Sequence, residues 1–118
     1  MQDIIQLAER LGKAIADAPQ TKALRAARKA MNDNAETVQV LADYQKHVEK
    51  VAMLEQDNKP IEVEDKHKLK DFEEKLLGRP EFKGFTAAQV EYVDMMRKVN
   101  EAIHKQLAEV EADQTIDG

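Results

Sequence analysis

The sequence predicts an all-α protein of four to five helices, built around a long antiparallel helical hairpin and assembling as a self-associating bundle. Three observations predict it. Apolar residues recur at helical spacing through almost all of the 118 residues, and no segment alternates with a period of two. Charged residues make up 35% of the chain, and Ala, Glu, Lys, Gln and Leu are prominent, a composition that favours helix. Within Thr86–Val110, the residues Val93, Met96, Asn100, Ile103, Leu107 and Val110 follow an unbroken three–four spacing, which places them on one stripe of a helix.

The first helix is expected over Asp3–Asp17, with Ile4, Leu7, Ala8, Leu11, Ala14 and Ile15 on its apolar face. Gly12 inside it is expected to let another backbone come close. Pro19 breaks the chain and suits the first position of a second helix, Pro19–Met31. Its apolar face is Ala23, Leu24, Ala27, Ala30 and Met31, and Lys22, Arg25, Arg28 and Lys29 lie on the other side. Asn32-Asp33-Asn34 is a turn and cap cluster, and either Asp33 or Asn34 can cap a long third helix over Ala35–Gln56. Val38, Leu41, Val48 and Ala52 form its expected seam, widened by Tyr44 and Val51. Asp57-Asn58-Lys59-Pro60 stops it.

The fourth helix is expected over Val63–Leu77, with Leu69, Phe72, Leu76 and Leu77 inward and Gly78 as its C-terminal cap. Arg79 to Gly84 reads as a connector whose Phe82, with Phe85, plugs the core. Thr86-Ala87-Ala88-Gln89 fits a capping box that opens the last helix. The third and last helices are expected to pair antiparallel. Residues 1–111 are expected to form one helical domain, followed by a disordered acidic tail over residues 112–118.

The seam on the last helix is too long for short helices of the same chain to cover. It predicts self-association, as a homodimer or higher homo-oligomer, through Val93, Met96, Asn100, Ile103, Leu107 and Val110. A buried Asn100 would fix the register between two such helices; the other reading rotates Val99 inward instead and leaves Asn100 at the edge of an ordinary bundle.

Catalytic chemistry finds little material. The chain has no Cys and no Ser, which removes the thiolate and serine nucleophiles and the thiolate metal sites. His47, His67 and His104 fall on three separate helices without metal-ligand spacing, so they read as surface or boundary residues. The threonines read as caps, helix surface or tail, and acidic pairs such as Glu62/Glu64/Asp65 read as solvated faces. No Gly-rich phosphate loop is present. No enzyme, metal or cofactor is therefore expected. The net charge of −5 argues against nucleic acid as a partner, although Lys22, Arg25, Arg28 and Lys29 form a basic stripe that could dock an acidic partner or RNA. No apolar run approaches a membrane span, and Met1-Gln2-Asp3 opens no secretory signal, so a cytoplasmic location without membrane insertion is expected.

The order of features resembles the YlbF/YmcA family of small bacterial helical proteins, the YheA-like group included. The resemblance rests on the two short N-terminal helices and the long third one. It rests also on the break Asn58-Lys59-Pro60-Ile61-Glu62-Val63-Glu64, on Leu69–Leu77, on Arg79-Pro80-Glu81-Phe82, and on Gln89–Leu107 with Val99 and Ile103. It covers about residues 3–108 through diffuse patterns rather than catalytic residues. It implies a non-enzymatic helical protein that self-associates through long hairpins. Some members belong to a regulatory complex linked to competence, biofilm formation and sporulation, through messenger-RNA processing by a membrane-anchored endoribonuclease. Members of that complex are associated with cysteine-ligated iron–sulfur clusters, a role not carried over to a chain without Cys. The expected function is thus a regulatory adaptor acting through protein contacts with itself and with other regulatory proteins. The alternative is an accessory RNA-binding factor using the basic stripe.

Overall fold

A computed structural model of the chain describes residues 1–110 in full and, from there to Asp117, only the helical backbone. The disordered tail expected over residues 112–118 lies outside the fully described residues. Five helices follow one another: α1 (Gln2–Ala16), α2 (Pro19–Asn32), α3 (Ala35–Gln56), α4 (Val63–Leu77) and α5 (Pro80–Asp117). The described residues contain no strand. Two compact units result, one from Met1–Leu24 with the chain from Ala88 onward, the other from Arg25–Ala87.

Local chemistry explains most of the boundaries. Pro19 sits in the first position of α2, where its missing N–H is not needed. Asn34, rather than Asp33, caps α3: its side chain accepts from the Thr37 N–H at 3.1 Å. At the other end, Asn58 adopts φ 56°, the Lys59 N–H reaches Leu54 O at 2.8 Å, and the Asn58 N–H reaches Glu55 O at 3.1 Å. These two bonds and the left-handed residue make a Schellman motif with Asn in the usual glycine position.

α5 departs from expectation. It starts at Pro80, so the stretch from Arg79 to Gly84 is its opening and not a connector, and the Thr86–Gln89 capping box lies inside the helix unused. Pro80 repeats the role of Pro19, and the Lys83 N–H bonds the Arg79 carbonyl at 3.1 Å. Gly84 stands in a helix interior with open space where a Cβ would go. Gly84→Ala is therefore expected to stabilise the protein by about 1 kcal/mol. Thermal unfolding should show the midpoint rise by a few degrees. Gly12 also faces open space, and the close backbone approach expected there is not seen among the described residues. Gly78 does cap α4, but with right-handed φ −78°.

The antiparallel hairpin joins α3 to α4, not α3 to the last helix. Partner positions run in opposite directions: Lys50 meets Asp65, His47 meets Phe72, and Thr37 meets Arg79 just past α4. The inward seam of α3 is Thr37, Val40, Tyr44, His47, Val51 and Leu54, again in three–four spacing and all buried or half-buried. Val38 and Val48 of the expected seam are exposed, as is Leu77 on α4. The reason is that polar residues hold two slots of the true seam. Thr37 is 0% exposed, a buried residue where a cap or surface threonine was expected. His47 is 8% exposed, not a surface or boundary histidine, because its Nε2 lies 2.7 Å from the Asp65 carbonyl oxygen and its ring tilts 5.9 Å from that of Phe72. Asp65, expected on a solvated face, is also buried and takes the Lys50 ammonium at 3.0 Å.

A polar clasp ties the start of α3 to the α4–α5 junction. The Thr37 hydroxyl accepts from Arg79 Nε at 2.9 Å and donates to Glu81 Oε2 at 3.1 Å. Arg79 Nη2 donates to Asn34 Oδ1 at 3.0 Å and to Glu36 Oε2 at 3.2 Å, and Asn34 Nδ2 donates to Glu81 Oε1 at 3.1 Å. No buried side-chain nitrogen or oxygen among the described residues lacks a partner.

Two carboxyls in this unit are held below the ordinary carboxylate range. Lys50 lowers Asp65 through its hydrogen bond. Glu81 is lowered first by its own backbone N–H, then by Thr37, Arg79 and Asn34. In the unfolded chain both return to about 3.9–4.3 and bind protons there. Their contribution is complete above those values and is lost as pH falls through the lower folded ones. Urea titrations should show stability declining on acidification below about pH 4, with a shallower decline in Asp65→Asn.

Candidate protein-interaction surface

The first unit leaves two apolar faces open. On α1 no residue is buried. Ile4 and Leu7 are each 64% exposed and Leu11 is 38% exposed, in line along one face. On α5 every residue from Asn100 to Val110 is exposed, with Ile103 at 45% and Leu107 at 52%. Helical geometry splits the apolar residues of α5 into two stripes. Met95 and Val99 turn inward, are half-buried and share a cleft with Gln20. Val93, Asn100, Ile103, Leu107 and Val110 turn outward, and Met96 lies half-buried at the border. Val99 and Asn100 thus both take the places their spacing allows, Val99 toward its own chain and Asn100 toward solvent. An open groove along this outer stripe is lined by Tyr92, Val93, Met96, Arg97, Asn100 and His104.

Charges beside the stripe are satisfied along α5 itself. Arg97 bonds Asp94 at 2.7 Å and Glu101 at 2.6 Å, and Lys98 reaches Asp94 at 3.1 Å. The Asp94 carboxyl is lowered by these two cations, Arg97 first, and the Arg97 guanidinium is raised by Asp94 and Glu101. An approaching apolar surface therefore meets a rim of pre-paired ions rather than single charges.

The basic residues of α2 are all exposed but are not equally available. Lys29 is tied to Asp33 at 2.7 Å, and the Arg28 guanidinium lies 5.9 Å from the centre of the Phe85 ring. Lys22 and Arg25 face solvent. His67 and His104 are exposed and far apart in sequence from buried His47. No group of three or more His, Asp or Glu among the described residues could hold a metal ion. No helix among them is long and apolar enough to cross a membrane.

Residues 4–108 match the family described as control of competence regulator ComK, YlbF/YmcA. The chain belongs to the YlbF/YmcA family. A UPF0342 protein from Desulfitobacterium hafniense (strain Y51) is 26% identical over 106 residues, 90% of this chain and 81% of that protein. The crystal structure of Bacillus subtilis RicA in complex with RicF contains a chain of the same fold. The likeness has a TM-score of 0.79 at 16% identity, over 91% of this chain and 95% of that one. The fold is thus shared at an identity too low to reveal it by sequence alone.

The end of α5 carries an open stripe that no side chain of the described residues covers. Sequence reasoning found this stripe from spacing alone. It missed the apolar face of α1 as a surface, because a regular amphipathic pattern reads as a packed helix. It also missed the clasp of Asn34, Thr37, Arg79 and Glu81. The one signal available for the clasp was a charged pair around Pro80 combined with a threonine three residues after an N-cap.

Proposed function

We propose that this YlbF/YmcA-family protein is a non-catalytic regulatory adaptor of the bacterial cytoplasm that works through protein–protein contacts and self-associates along Val93, Met96, Asn100, Ile103, Leu107 and Val110. The observation that carries the reading is the open apolar stripe at the end of α5, flanked by ions already paired along the helix. Left in water, such a stripe is the kind of contiguous patch that marks a contact site. The family's connection to control of a competence regulator supports a regulatory role, and a chain of the same fold occurs in a complex of two proteins, RicA and RicF. The basic residues Lys22, Arg25, Arg28 and Lys29 serve as an accessory docking patch for an acidic partner protein.

The test is a pull-down from bacterial lysate with and without nuclease, paired with a titration of structured and single-stranded RNA. Partner capture should survive nuclease treatment. Binding to RNA should be weak and should vanish as salt rises, because 23 acids face 18 basic residues across the chain. Binding in the micromolar range that is lost in Arg25→Glu/Arg28→Glu would replace the adaptor with an RNA-binding accessory factor.

A further inference from the structure

The geometry points to α1 as the segment that completes the self-association interface: the apolar face of α1 on one copy docks antiparallel on the distal stripe of α5 on a second copy. This rests on the self-association reading and specifies its partner surface. The first argument is area. A large aliphatic side chain carries on the order of 100 Å² of apolar surface. The exposed Val93, Ile103, Leu107 and Val110 together then offer at most ~400 Å². A stable interface takes roughly 800 Å² from each partner, about 65% of it apolar in homodimers, or ~500 Å². The α5 stripe alone falls short. Ile4, Leu7 and Leu11 bring the total to ~700 Å², and no residue of α1 is buried within its own chain.

The second argument is register. Ile4, Leu7 and Leu11 are spaced three then four, and Val110, Leu107 and Ile103, read backwards, are spaced three then four as well. An antiparallel docking therefore stacks Ile4 on Val110, Leu7 on Leu107 and Leu11 on Ile103 in successive layers. In that register Ala8 is level with Gln106 and Arg10 with His104, while Glu9 is level with Lys105 and Lys13 with Glu101, so opposite charges flank the apolar layers. A two-fold axis repeats the contact with the copies exchanged, so both open faces of both chains are covered at once.

The absence of Cys makes the test direct, since each introduced thiol is the only one in its chain. Leu7→Cys protein mixed with Leu107→Cys protein and oxidised should give a cross-linked pair. Glu9→Cys, on the opposite face of α1, should give none with Leu107→Cys. Leu7→Asp/Leu11→Asp in the full chain should sediment as monomer, with helix content unchanged by circular dichroism because these side chains are solvent-facing within one copy. A wild-type protein that is dimeric, but cross-links only between two Leu107→Cys copies, would overturn the α1 docking and leave self-association standing. A wild-type protein that is monomeric at tens of micromolar would overturn both.

Discussion

Ile103→Asp combined with Leu107→Asp is expected to convert the assembled protein to monomer in sedimentation equilibrium. Each substitution sets a carboxylate into an apolar contact, where desolvation without a partner costs several kcal/mol. In the proposed two-fold dimer both changes enter the interface twice. A weakening of at least a thousandfold follows from about 4 kcal/mol, enough to remove a micromolar dimer at ordinary concentrations. Both side chains are about half-exposed in the single chain, so circular dichroism should be unchanged, which separates lost assembly from unfolding. A variant that remains a dimer would move the interface elsewhere, and the exposed Val38 and Val48 on the outer side of α3 are the next apolar surface to test.

Thr37→Val is expected to lower stability by about 2–3 kcal/mol although it conserves volume. The hydroxyl is fully buried and stands between Arg79 and Glu81, accepting from one and donating to the other. Its removal leaves a half-buried guanidinium N–H and a half-buried carboxylate oxygen without their partner, the costly side of hydrogen-bond energetics. In thermal unfolding the midpoint should fall by roughly 10 °C. Thr37→Ser, which keeps the hydroxyl, should recover most of the loss. If Thr37→Val unfolds at the wild-type temperature, the clasp is incidental and the α3–α4 hairpin is held by apolar contacts alone.

Periodicity and punctuation were enough to place the first four helices. Pro19, Asn34, Asn58 and Gly78 act through local backbone geometry, which a sequence displays directly. Pro80 acts locally too, yet its opening of α5 was hidden behind a plausible capping box six residues later. The outer stripe of α5 was also legible, because a three–four spacing over Val93–Val110 fixes which side chains share a face whatever surrounds the helix. Tertiary structure alone decided which face of α3 turns inward. Hydrophobicity pointed to Val38 and Val48, but the seam took Thr37 and His47. Each of those polar groups found a partner distant in sequence, Arg79 with Glu81 and the Asp65 carbonyl. A polar residue reads as surface until its partner is known, and here that partner lies across a folded hairpin. The openness of α1 was likewise invisible in the sequence, since an amphipathic helix has the same pattern whether its own chain or another covers it.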